Sequence, residues 1–207
     1  MPSRETRTMD ARTIAFVLMM GILGNTLFAI TYYGGSIAPG IAVDFSLIAV
    51  FVAAYYGGPW IGLVSGLFVG IMPGIMFGPM GMASWLGLVG LPIGKGLTGL
   101  TAGIVSRGLK LGRRPYSSVA TVPASLLSYI PECIFTYAYF SVLMPFFFGK
   151  NLEYVFIYVI LPKALAEVTI MSFIMGILIG NRGFSGFVSR FFTKTNIVPK
   201  LRTATSD

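Results

Sequence analysis

The chain has no histidine, one cysteine and only seven acidic residues among 207. Each shortage removes a class of chemistry. Without histidine there is no imidazole acid–base catalyst, no Ser–His triad, no HExxH metal site and no histidine-ligated haem. Cys133, alone, makes neither an internal disulfide nor a thiolate cluster, and reads as a small buried apolar residue. Charged residues make up 11% of the chain, against about 25% in an ordinary soluble domain. The composition therefore predicts no metal, no cofactor and no separate soluble domain.

What fills the chain is apolar. Hydrophobic residues account for 55% of it, and the mean hydropathy is +0.81. Six runs approach or exceed the ~18 to 20 residues that cross a bilayer core. They lie at about 11–33, 41–56, 60–76, 84–105, 119–146 and 154–180. The third is broken near its end by Pro73 and Gly74. The first is too long for a signal peptide and no small-x-small cleavage site follows it, so it is expected to be a mature helix. The expected fold is an all-α, six-helix membrane bundle forming one integral membrane domain. Residues 1–10 and the basic tail 181–207 flank it.

The net charge of +8 is distributed as topology rather than as a nucleic-acid-binding face. Arg4, Arg7 and Arg12 precede the first run; Arg107, Lys110, Arg113 and Arg114 follow the fourth; Arg182, Arg190, Lys194, Lys200 and Arg202 follow the sixth. With six crossings these twelve of fifteen basic residues share one side, and Lys150 alone lies opposite. The positive-inside rule places that side, with both termini, in the cytoplasm of a multi-pass cell-membrane protein.

Gly62, Gly66, Gly70 and Gly74 recur every four residues along the third run. Small residues at this spacing let helices approach closely in lipid, so internal packing is expected. Around Lys95, "GLPIGKGLTG" has the look of a phosphate-binding loop, but Val89 stands where its first glycine belongs and Gly96 where its Ser or Thr belongs. ATP hydrolysis by this chain is not expected.

Five ionisable residues fall inside the runs: Asp44, Lys95, Glu132, Lys163 and Glu167, with Asn25 as a polar companion. Such groups cost at least ~2.5 kcal/mol at the bilayer centre and face an interior or a cavity. Lys95, Glu132, Lys163 and Glu167 all fall in the middle to outer half of the membrane at about 1.5 Å rise per residue, whereas Asp44 is shallower. Tyr129, Glu132, Thr136 and Tyr139 form one helical stripe; Trp85, Leu88, Pro92 and Lys95 form another. Aromatic walls with a few convergent polar groups make a small-molecule pocket. The alternatives are an ion-pair network of purely structural purpose and a proton or ion path. An intramembrane enzyme would need Glu132 or Glu167 as base with no nucleophile or metal pair beside it, so no enzymatic activity is expected.

At this point the chain resembles the substrate-binding S subunits of energy-coupling factor transporters. The resemblance rests on six runs in about 200 residues, on Ala11-xxx-Ala15, on "YYGGPWIGLVSGLFVG" at 55–70 and on "GKGLTGLTAGIVSRGLK" from Gly94. It implies that the chain captures a vitamin or related micronutrient from outside, in a pocket of the fourth to sixth spans, for uptake driven by a coupling subunit and two ATPases. It also implies that Ala11 and Ala15 contact the coupling subunit, although the next position in that series is Met19. No motif specific for riboflavin, thiamine or biotin is present. The turn at 57–71 equally resembles membrane sensor modules, and the midplane charges suit an ion-coupled transporter. The absence of an evident inverted repeat weighs against the latter.

Overall fold

The computed structural model describes residues 11–34, 36–38, 41–81, 84–111, 117–149 and 151–192. The expected segment 1–10, Lys150, Arg113, Arg114 and the tail beyond 192 lie outside the described residues.

Among the described residues five helical units are long and apolar enough to cross a membrane, which makes this a multi-pass membrane protein. The first is α1 (Ala11–Gly34). The second joins α3 (Pro59–Val69) to α4 (Ile71–Phe77) through Gly70. The third is α5 (Ser84–Leu109). The fourth runs through α6 (Ser117–Ala138), a π turn at Tyr139–Leu143 and α7 (Met144–Phe148). The fifth runs through α8 (Glu153–Val155), a π turn at Phe156–Ile160 and α9 (Leu161–Gly180).

The expected second span departs from the sequence reading. Ile41 and Ala42 form strand β2, which pairs antiparallel with β1 (Ser36–Ala38), and helix begins only at Leu47. That helix, α2 (Leu47–Gly57), has 11 residues and is about 16 Å long, half of a ~30 Å core. Leu47 and every residue from Ala49 to Ala54 are buried. A helix apolar all round sits inside a bundle, so hydropathy sees a span where the chain builds a central half-helix. Gly58 (φ 92°) then turns the chain into Pro59, the first residue of α3.

The glycine stripe of α3 and α4 packs on α5. A Cβ on Gly62 would fall on the Gly99 carbonyl, one on Gly66 on the Lys95 carbonyl, and one on Gly70 on Pro92. Backbone meets backbone along this seam, the contact that small residues permit in lipid. Asn25 ties α1 to the same unit: Nδ2 donates to the Phe68 carbonyl (2.9 Å), and Oδ1 accepts from the Met72 N–H (3.0 Å).

Each π turn has a local cause. Pro145 and Pro162 sit in the first turns of α7 and α9. A proline ring clashes with the carbonyl four residues back and offers no N–H. Widening the turn relieves the clash, and the N–H groups of Met144 and Leu161 reach back five residues, to Tyr139 and Phe156. Beyond α9, Asn181 caps α10 (Arg182–Ser189), accepting from the Phe184 N–H at 3.0 Å. Phe184 and Val188 pack onto the core around Phe16 and Tyr56. This amphipathic helix occupies the start of the segment expected only as a basic tail.

Candidate ligand-binding site

Unwound chain leads into α2, and Asp44 lies there. Its Oδ1 accepts from the Ser46 N–H at 2.8 Å, an Asx turn that sets up the helix start. Its own N–H donates to Glu167 Oε1 of α9, also at 2.8 Å. Non-helical backbone at membrane depth persists only where protein satisfies its polar groups or a cavity receives them. Here a carboxylate from another span does so.

Across from this segment stands Lys95 of α5, 3% exposed. Its Nζ donates to Asp44 Oδ2 at 2.7 Å and to Ser46 Oγ at 2.8 Å. The purely internal network considered from sequence joined Lys95 to Glu132, Lys163 and Glu167. The contact partner of Lys95 is instead Asp44, the residue placed as shallow. Lys163 and Glu167 do pair along α9, at 3.2 Å, and Lys163 also lies 5.8 Å over the Phe77 ring. Glu132 of α6 accepts a hydrogen bond from the Thr98 hydroxyl of α5.

These groups line a cavity of about 160 Å³. Eight of the ten expected ligand-contacting residues border it: Asp44, Lys95, Tyr129, Glu132, Thr136, Tyr139, Lys163 and Glu167. Two do not. Trp85 is 70% exposed at the start of α5, and Asn25 is spent on the joint between α1 and α3–α4. Ala11 and Ala15 lie exposed on α1, away from the cavity.

The sequence reading missed Phe77, Phe135, Phe140 and Ile160 in the wall, and Ser46 and Thr98 as partners of the charges. Thr98 and Phe135 were within reach of periodicity, since each follows a singled-out charge by three residues on the same helix face. Ile160 stands three residues before Lys163, but a π turn ends there and disturbs the helical spacing; Phe77, at the end of α4, carried no such signal. Gly90 and Gly94 of α5 make room for the stripe of α6. A Cβ on Gly90 would meet Tyr139 at 3.0 Å, and one on Gly94 would meet Glu132 Cγ at 3.3 Å.

The site is therefore a small chamber with charged groups and aromatic sides. Among the described residues no group of three or more carboxylate or thiol side chains is arranged to hold a metal ion. No protein family, curated protein or solved structure matches the chain.

Proposed function

We propose that this chain is the membrane-embedded substrate-binding subunit of an energy-coupling-factor-type importer, holding a vitamin or related micronutrient captured from outside the cell. The observation that carries the reading is the cavity itself. Charges that are expensive in a membrane are gathered from the approach to α2 and from α5, α6 and α9 around a cavity, beside aromatic side chains. A purely structural network would close over such charges rather than leave room between them.

In this reading α2 with its β-ribbon serves as the second of six crossings, the basic connections face the cytoplasm, and the protein resides in the cell membrane. The chain binds but does not hydrolyse. A coupling subunit and two ATPases supply the energy, and the exposed Ala11–Ala15 side of α1 is the place for the coupling subunit.

The test is to purify the full chain from cells grown in rich medium, denature it and identify released small molecules by mass spectrometry. One stoichiometric micronutrient-like compound that also raises the melting temperature of the emptied protein is the expected result. An empty protein that no micronutrient stabilises would refute the reading.

A further inference from the structure

We propose that the cavity selects a small organic cation, a protonated amine or cationic ring nitrogen on a body about one aromatic ring in size, with its positive charge held by Glu132. The inference deepens the ligand-binding reading above and rests on it.

The cavity is bordered by three carboxylates, Asp44, Glu132 and Glu167, and two ammonium groups, Lys95 and Lys163. Each ammonium group has a carboxylate in contact: Lys95 has Asp44 at 2.7 Å, and Lys163 has Glu167 at 3.2 Å. The remaining carboxylate is Glu132. It is 7% exposed, and its one hydrogen bond from a described residue is from the neutral Thr98 hydroxyl to Oε2. Ser65 Oγ is the one side-chain polar atom among the described residues that is sealed off and unpartnered. The second Glu132 oxygen is therefore not sealed, and the space it reaches is the cavity. The same holds for the hydroxyl of Tyr129, also 7% exposed and without a hydrogen bond among the described residues. A buried carboxyl group with a free acceptor lobe is a binding site for a donor that carries positive charge, because the incoming cation supplies the counter-charge that the ionised form needs.

The walls agree. Tyr129, Phe135, Tyr139 and Phe140 border the chamber, and aromatic faces attract cations most when water is excluded. An anionic solute meets the opposite situation. Lys95 is already held by Asp44 and Ser46, and three carboxylates stand against two ammonium groups around the cavity, so an incoming carboxylate adds to an excess of acid. A body of one aromatic ring fits the space, since a cavity of about 150 Å³ is known to hold benzene and this one is about 160 Å³.

Three shape-matched probes test the idea on the full chain in detergent: benzylamine (a cation at neutral pH), benzyl alcohol and benzoate. Benzylamine is expected to raise the melting temperature in a concentration-dependent way, and the other two are not. Glu132→Gln, which keeps an acceptor for Thr98, should weaken benzylamine binding about ten- to a hundredfold. The inference is overturned if benzoate or benzyl alcohol stabilises as well as benzylamine does. It is equally overturned if no benzylamine shift occurs, if Glu132→Gln binds unchanged, or if sodium or potassium gives the same shift and benzylamine adds nothing. Should Glu132→Gln fail to fold, the charge of the co-purified solute decides. A cation upholds the inference, and a neutral or anionic solute overturns it while leaving the importer reading intact. Conversely, cation binding without ATP-dependent uptake in cells supplied with coupling and ATPase subunits would sink the importer reading and leave this one standing.

Discussion

The two ion pairs at the cavity differ in ways a single residue can report. Lys95 and Asp44 come from separate elements, are almost wholly withdrawn from solvent and meet at 2.7 Å. Lys95→Met strands Asp44, and the expected loss is about 3–5 kcal/mol, because removing one partner leaves an uncompensated buried charge. The paired change Lys95→Met with Asp44→Asn should recover much of it. Lys163 and Glu167 are four residues apart on one helix, in the weaker Lys-before-Glu order, with the lysine side chain 19% exposed. Their coupling should be about 1 kcal/mol or less. Double-mutant cycles on melting in detergent measure both, and equal couplings would contradict this ranking. Asn25→Ala separates scaffold from site. It removes the hydrogen bonds to Phe68 and Met72 and should cost about 1–3 kcal/mol of stability without changing solute affinity. A thermal melt and a binding titration on the same preparation distinguish the two effects.

Between elements, the seam of α3–α4 on α5 and the π turns decide where the site residues stand. Gly66 lies against the Lys95 carbonyl, so Gly66→Ala must push α5 away from α3. Overpacking of this kind costs about 1–3 kcal/mol, and here it should also weaken solute binding, because the displaced turn is the one that carries Lys95. An alanine at Gly186, where nothing lies within 4 Å of the added carbon, is the control and should do neither. Pro162→Ala removes the clash that widens the turn at Phe156–Ile160. With a regular turn restored, the segment before Ile160 rotates by about 100° relative to α9. Binding should weaken while the melting temperature holds or rises. Unchanged affinity would mean that the widened turn does not shape the cavity.

For the whole molecule, the threading through the bilayer is directly testable, because the chain has a single cysteine. Cys133→Ser gives a background in which one new cysteine reports one side. Gly149→Cys, beyond α7, and Gly186→Cys, on α10, should label from opposite sides of the membrane with an impermeant maleimide, Gly186→Cys from the cytoplasm. Labelling of both from one side would overturn the threading proposed here. Much of this scale was legible in the sequence. Hydropathy located five long crossings to within a few residues, because lipid demands about 20 apolar residues whatever their neighbours. It failed over 41–56, where burial in the bundle and burial in lipid look alike to a hydropathy scale and the first residues of the expected span are taken by β2 and the turn at Asp44.

The same division runs through the candidate site. Sequence alone fixed which residues had to be hidden from lipid, since Lys95, Glu132, Lys163 and Glu167 are costly there whatever the fold. Periodicity also set Tyr129, Thr136 and Tyr139 on the stripe of Glu132. Only the tertiary structure decided the pairing. Asp44 reaches Lys95 because the chain unwinds before α2, and Glu167 binds the backbone of that unwound turn across 123 residues of sequence. The choice of which carboxylate is left over, and hence the sign of the charge the cavity can receive, follows from those long-range contacts. Spacing along a chain constrains neighbours on one helix, whereas a pair between helices depends on how the backbones approach, and that is set by glycines such as Gly66, distant in sequence from both charges.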